Sequence, residues 1–181
     1  MMRPDMLDRV KAGLFAGTAA TFAVVDGAAC PDLAERLDRH GTRHACLYLE
    51  RLHPEVAAAA PHLVALEPGD GFTDWLLSGG WGRAWCIFAQ ADASLPLLRR
   101  HFRRFLMVTL ADGRIMRFRF YDPRVLQAFL PTCSPTDATR LFGPLRSLMT
   151  EAEGGRQMLR FMPVPDAPPL RSAIDLMAAG T

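Results

Sequence analysis

Residues 21–49 read TFAVVDGAACPDLAERLDRHGTRHACLYL, and their pattern decides the fold class. Thr21 to Asp26 is a short apolar run that ends at Asp26-Gly27, the signature of a buried strand followed by a turn. Pro31 then stands at a helix start, Leu33, Ala34 and Leu37 share one helical face, and Gly41 stops the helix. Ala45 to Leu49 is a second apolar run. The same alternation continues outward. A helical turn opens at His53-Pro54 and closes at Pro61, followed by a strand over His62–Leu66. A helix over Phe72–Leu77 stops at Gly79-Gly80, and a strand follows over Trp85–Ala89. Strands alternating with helices predict an α/β single domain with a mixed, mostly parallel sheet flanked by helices.

Downstream, Ser94 has the character of an N-cap, and Leu95, Leu98, Phe102 and Phe105 fall on one helix face. Asp112-Gly113 predicts a hairpin turn between Leu106–Leu110 and Arg114–Tyr121. In the second arm Met116, Phe118 and Phe120 alternate with Arg117, Arg119 and Tyr121, so one face is expected to be buried and the other basic. Pro123 and Ser134-Pro135 start two further short helices. Leu145–Thr150 and Gln157–Met162 predict a C-terminal β-hairpin around Glu153-Gly154-Gly155. Pro163, Pro165, Pro168 and Pro169 then suggest a stiff, linker-like stretch. The expected organisation is an N-terminal helix in 1–18, an α/β domain over 19–162 and a Pro-rich tail over 163–181.

Half of the 181 residues are apolar, which suffices for a packed core and excludes disorder of the whole chain. The net charge of +2 divides unevenly. Residues 1–80 carry 7 basic and 11 acidic residues, whereas 81–181 carry 14 and 8. Arg3, Arg9 and Lys11 before the apolar stretch Ala12–Val25 superficially resemble an export signal. Asp5, Asp8 and Asp26 interrupt that pattern, so a cytoplasmic protein is expected, and no other stretch is long and apolar enough to span a membrane.

Neither a phosphate-binding glycine loop nor a C-x-x-C pair is present. Gly79-Gly80-Trp81-Gly82 reads as a turn. His44 and Cys46 share a strand face, but no second close-spaced pair completes a metal site. Cys133 lacks the local motif of a thiol nucleophile. No catalytic, metal or cofactor residue is therefore assigned. The densest feature is basic: from Leu97 to Arg124 there are 8 arginines against 2 acids. Its phenylalanines fall at core positions rather than among the arginines, which favours a protein interface over a nucleic-acid surface. Arg99, Arg100, Arg103, Arg104, Arg117, Arg119 and Arg124 are the candidate partner-binding residues.

The segments LRRHFRRFLMV (98–108), Asp112-Gly113 and FRFYDPRVL (118–126) together resemble the family known as domain of unknown function 4123. AVVDG (23–27), ACLY (45–48), LLSGGWGRAW (76–85) and FLPT (129–132) support the resemblance in the family's order. It implies an accessory protein of type VI secretion, one that holds a secreted effector protein and hands it to a VgrG-type spike protein. The family offers no catalytic residues to carry over, and some members have a longer C-terminal lobe. Within FRFYDPR, Phe118, Phe120, Tyr121, Asp122 and Pro123 also have a structural reading, with the phenylalanines packed inward and Asp122-Pro123 starting a helix. Two rival functions remain: an α/β enzyme with an unrecognised site, or a weak nucleic-acid-binding domain using the Arg-rich 97–124 region.

Overall fold

A computed structural model of the protein describes residues 2–30, 32–48, 53–110 and 112–177. Pro31 and Leu49, expected to start a helix and end a strand, lie outside these residues. Seven strands form one sheet: β1 (Ala20–Asp26), β2 (His44–Cys46), β3 (Pro61–Leu66), β4 (Cys86–Ala91), β7 (Leu145–Ala152), β8 (Gln157–Val164) and β9 (Ala167–Asp175). Two short strands, β5 (Met107–Thr109) and β6 (Ile115–Arg117), form a separate hairpin. The helices are α1 (Pro4–Leu14), α2 (Leu33–His40), α3 (Pro54–Ala58), α4 (Gly71–Gly80), α5 (Leu95–Arg103), α6 (Pro123–Phe129) and α7 (Pro135–Phe142).

The α/β class holds, but the sheet is not mostly parallel. Its order is β2-β3-β1-β4-β7-β8-β9, and every pairing among the described residues is antiparallel. The physical reason lies in two interleaved crossovers. The strands joined through α2, β1 and β2, do run the same way, but β3 lies between them. The strands joined through α4, β3 and β4, also run the same way, with β1 between them. Each crossover skips one position, and the other crossover fills it with a strand of opposite direction.

Helices cover both faces, so β1 and β4 are buried along nearly their whole length. Phe22, Val24, Ile87, Ala89, Leu148 and Phe161 face α5, α6 and α7. Ala23, Val25, Phe88, Met149 and Met158 face α1, α2 and α4. Burial on both sides yields continuous apolar runs in the sequence, the same signature that parallel strands carry.

The C-terminal hairpin forms as β7 and β8, with a tight turn whose Glu153, Gly154 and Gly155 all have positive φ. Residues 167–175, expected to be linker-like, instead pair with β8 as the edge strand β9. An edge strand tolerates Pro168 and Pro169 because one side of its backbone has no ladder partner. In the middle of the sheet a buried amide on β4 ties three elements together. Gln90 Nε2 donates to the carbonyls of Leu14 (2.8 Å) and Ala16 (3.0 Å), and Ser147 Oγ donates to Gln90 Oε1 (3.1 Å).

Candidate functional site

The motif pieces that are separate in sequence meet at the end of β1. Asp26 is 2% exposed, and its Oδ1 accepts the Ala28 N–H at 3.0 Å. The guanidinium of Arg119 pairs with its Oδ2. That guanidinium also lies 5.9 Å from the Tyr121 ring, and Arg117 sits 5.1 Å over the ring of Tyr48. Burial and a hydrogen bond with Tyr48 push the Tyr121 hydroxyl above its usual pKa. Gly27 fits here only without a side chain, because a Cβ would stand 2.3 Å from the Ala58 carbonyl oxygen and 2.5 Å from that of Ala60.

Asp122 caps α6. Its Oδ1 accepts the Arg124 N–H at 3.0 Å, and its Oδ2 binds Arg124 Nη2 at 2.7 Å. Burial opposes ionisation of Asp122, but the Arg124 hydrogen bonds and charge outweigh it, and its pKa lies below the ordinary value. Nearby, Glu151 accepts the N–H groups of Gly82 and Ala84. It thereby holds the loop between α4 and β4 in left-handed backbone at both positions, with φ of 86° and 56°. Burial raises the Glu151 pKa against those two hydrogen bonds.

This arrangement divides the seven candidate arginines. Arg99 Nε donates to the Cys46 carbonyl at 2.8 Å, and Arg117, Arg119 and Arg124 are engaged as described above. Arg100 and Arg104 are exposed and Arg103 is half-buried, and among the described residues none of these three has a carboxylate partner. The Asp26–Arg119 pair was not legible in the sequence. A strand-end aspartate and an arginine 93 positions away carry no local sign of each other.

The second arm of the predicted hairpin is shorter than expected, because β6 ends at Arg117 and the chain turns over 119–122, closed by Asp122 N–H to the Arg119 carbonyl at 3.0 Å. Phe120 and Tyr121 are therefore both buried, Phe118 is half-buried, and Met116 is 49% exposed rather than buried. Between this hairpin and the helices α5, α6 and α7 opens a groove of about 1060 Å³. Phe105, Val108, Leu110, Phe118, Phe129 and Leu141 line it, and Arg104, Arg140 and Asp137 contribute its charged groups. Met107 (52% exposed) and Ile115 (68%) add apolar surface on the hairpin.

His101 supports the groove from inside α5. Its Nε2–H donates to the Leu141 carbonyl at 2.7 Å, and its ring lies 5.1 Å from that of Phe105. Burial lowers its pKa from 6.5, as it does for His62. In the unfolded chain both imidazoles take up a proton as the pH falls through about 6.5, while the folded state resists until a lower pH. Their contribution to stability is thus complete above about pH 6.5 and is lost on acidification through the lower folded pKa. Glu151 acts with the opposite sign, so the histidine share is read as a difference. His101→Gln keeps a donor for Leu141, and it is expected to lose less stability than the wild type between pH 7.5 and 5.5. Denaturant midpoints at both pH values check this, and equal losses in the two proteins would refute it.

The chemistry available is slight. Cys30, Cys86 and Cys133 are buried free thiols, and burial raises all three pKa values, that of Cys30 to about 12. Such thiols are poor nucleophiles at neutral pH. The His44 ring lies 5.8 Å from that of His62, and among the described residues no three His, Cys, Asp or Glu side chains are placed to hold a metal ion. No described helix is long and apolar enough to cross a membrane.

Fold and surface together define a three-layer α/β domain with a polar knot at one strand end and an apolar groove bearing a basic rim. Residues 21–140 match the family described as Domain of unknown function (DUF4123), and the chain belongs to that family. That match takes in the Asp26–Arg119 knot, the β5–β6 hairpin and nearly all of α7. No curated protein and no solved structure matches the chain.

Proposed function

We propose that this protein is a non-catalytic cytoplasmic adaptor that binds a secreted type VI effector and helps load it onto a VgrG-type spike protein. Membership of the DUF4123 family over residues 21–140 carries this reading. Two features support it: the open groove with apolar walls, and the three arginines of α5 and its C-cap that have no carboxylate partner among the described residues. The nucleic-acid alternative is weakened because Arg99, Arg119 and Arg124 are committed within the fold. The rings of Phe102 and Phe120 are stacked on each other in the core, 5.5 Å apart, and are not offered to bases. The enzyme alternative has no nucleophile–base pair among the side-chain contacts above.

Co-expression with its cognate toxic effector is expected to raise that toxin's soluble yield and to give a complex that co-elutes on gel filtration. A toxin equally soluble alone, and never co-eluting, would end the adaptor reading.

A further inference from the structure

We infer that the groove between the β5–β6 hairpin and helices α5, α6 and α7 is the capture site, and that its occupant is an amphipathic helical segment with acidic flanks. The inference rests on the adaptor reading and adds where the effector docks and what chemistry it presents.

Val108, Leu110 and Phe118 from the hairpin region face Phe105, Phe129 and Leu141 from the helical side, so the groove is apolar across its width. Among the described residues the hairpin pairs only with itself and contributes no strand to the main sheet, and its Met107, Ile115 and Met116 are exposed. A helix about 10 Å across occupies roughly 420 Å³ per 5.4 Å turn, so about 1060 Å³ holds about two turns. That is the usual scale for a helix whose apolar face lies in a groove.

Charge decides the flanks. Arg104 and Arg140 stand in the groove, Arg100 and Arg103 precede Arg104 on the same helix, and none of the four has a carboxylate partner among the described residues. The one acid in the lining, Asp137, is held by the Ser134 hydroxyl at 2.7 Å in the N-cap of α7. Four unneutralised cations beside one engaged carboxylate call for acidic groups on the occupant.

Other occupants fit less well. A small polar molecule would need buried polar atoms aimed inward, and the unpartnered buried side-chain atoms of the described residues belong to Thr73 and Arg160, neither of which lines the groove. Symmetric pairing with a second copy would set two basic rims face to face. Bases would find few free ring faces, since Phe118 packs edge-on against Phe129 at 5.0 Å.

The probe is an 18-residue synthetic helix, fluorescein-labelled, with Leu on one face and Glu on the other, compared with the same peptide carrying Lys for Glu. Anisotropy titration of the full chain is expected to show the Glu peptide binding at least about tenfold more tightly than the Lys peptide. Leu110→Asp in the groove and the double variant Arg100→Glu/Arg104→Glu at the rim should each weaken the Glu peptide by at least about tenfold. The arginines lie on the surface, so the double variant should keep its melting temperature, and it tests the site even if Leu110→Asp fails to fold. Equal binding of the two peptides, or wild-type binding by the folded variants, would overturn the proposal. So would displacement of the peptide by duplex DNA, or peptide binding that vanishes as the protein dimerises at high concentration. The toxin co-expression, repeated with the same variants, separates the two readings. A toxin that co-elutes equally with wild type and variants overturns the groove and leaves the adaptor standing. A peptide that binds as expected while the toxin never co-elutes overturns the effector assignment.

Discussion

Phe120→Ala is expected to lower the unfolding free energy by about 3–5 kcal/mol, and Phe118→Ala by only about 1–2 kcal/mol. Phe120 is 0% exposed and stacks on Phe102 with ring centroids 5.5 Å apart and planes within 14°. It also meets Phe105 at 6.5 Å and Tyr121 at 5.6 Å in edge-on contacts. Truncation removes the ring and leaves a cavity lined by side chains fixed from several elements, so little collapse can offset the loss. Phe118 lies 6.2 Å from Phe120 but opens onto the groove, where solvent already touches it. A domain of this size has a total stability of about 5–15 kcal/mol, so the Phe120 variant stands near the limit of folding while the Phe118 variant remains comfortably folded. Guanidinium denaturation of both resolves the difference. Equal losses would mean that the chain does not turn at 119–122 as described and that both rings share one strand face.

That turn also marks where sequence reading stops. The pattern Met116, Phe118, Phe120 is a good strand signature, and its alternation places Tyr121 outside. The strand ends at Arg117, and a turn has no two-residue period, so Tyr121 and Asp122 are buried next to Phe120. Signals carried by bonds within a few residues were legible. Asp122 and Ser134 cap their helices as expected, the latter accepting the Asp137 N–H at 3.1 Å, and Gly113 takes a φ of 82° in the Asp-Gly turn. The apolar runs were legible as strands too. Strand direction was not, because it depends on which crossover fills the gap left by the other. The edge position that admits Pro168 and Pro169 into β9 is likewise set by tertiary placement. Among the arginines the same limit applies. Composition marks the 97–124 region as basic, but only the fold shows that Arg119 and Arg124 answer buried carboxylates while, among the described residues, Arg100 and Arg104 answer none.

Arg119 therefore separates a structural from a partner-binding arginine, and its removal is expected to destabilise the protein by about 2–3 kcal/mol. Losing one member of a buried pair costs about 3–5 kcal/mol, because the remaining charge stays buried without compensation. Arg119 is 46% exposed, so solvent screens part of the pair and trims that figure. Asp26 is the buried member, and without Arg119 the Ala28 N–H is the one hydrogen-bond partner left to its carboxylate among the described residues. Asp26→Asn keeps an oxygen for that N–H and removes the charge, so adding it to Arg119→Ala should restore about 1 kcal/mol or more instead of costing more. The double-mutant cycle isolates this coupling from the packing changes of each substitution. The folded Arg119→Ala protein should bind the acidic probe helix as the wild type does, in contrast to Arg100→Glu/Arg104→Glu. Strict additivity in the cycle, or probe binding lost with stability unchanged, would return Arg119 to the binding surface and remove the knot at the end of β1 as a reason for the FRFYDPR motif.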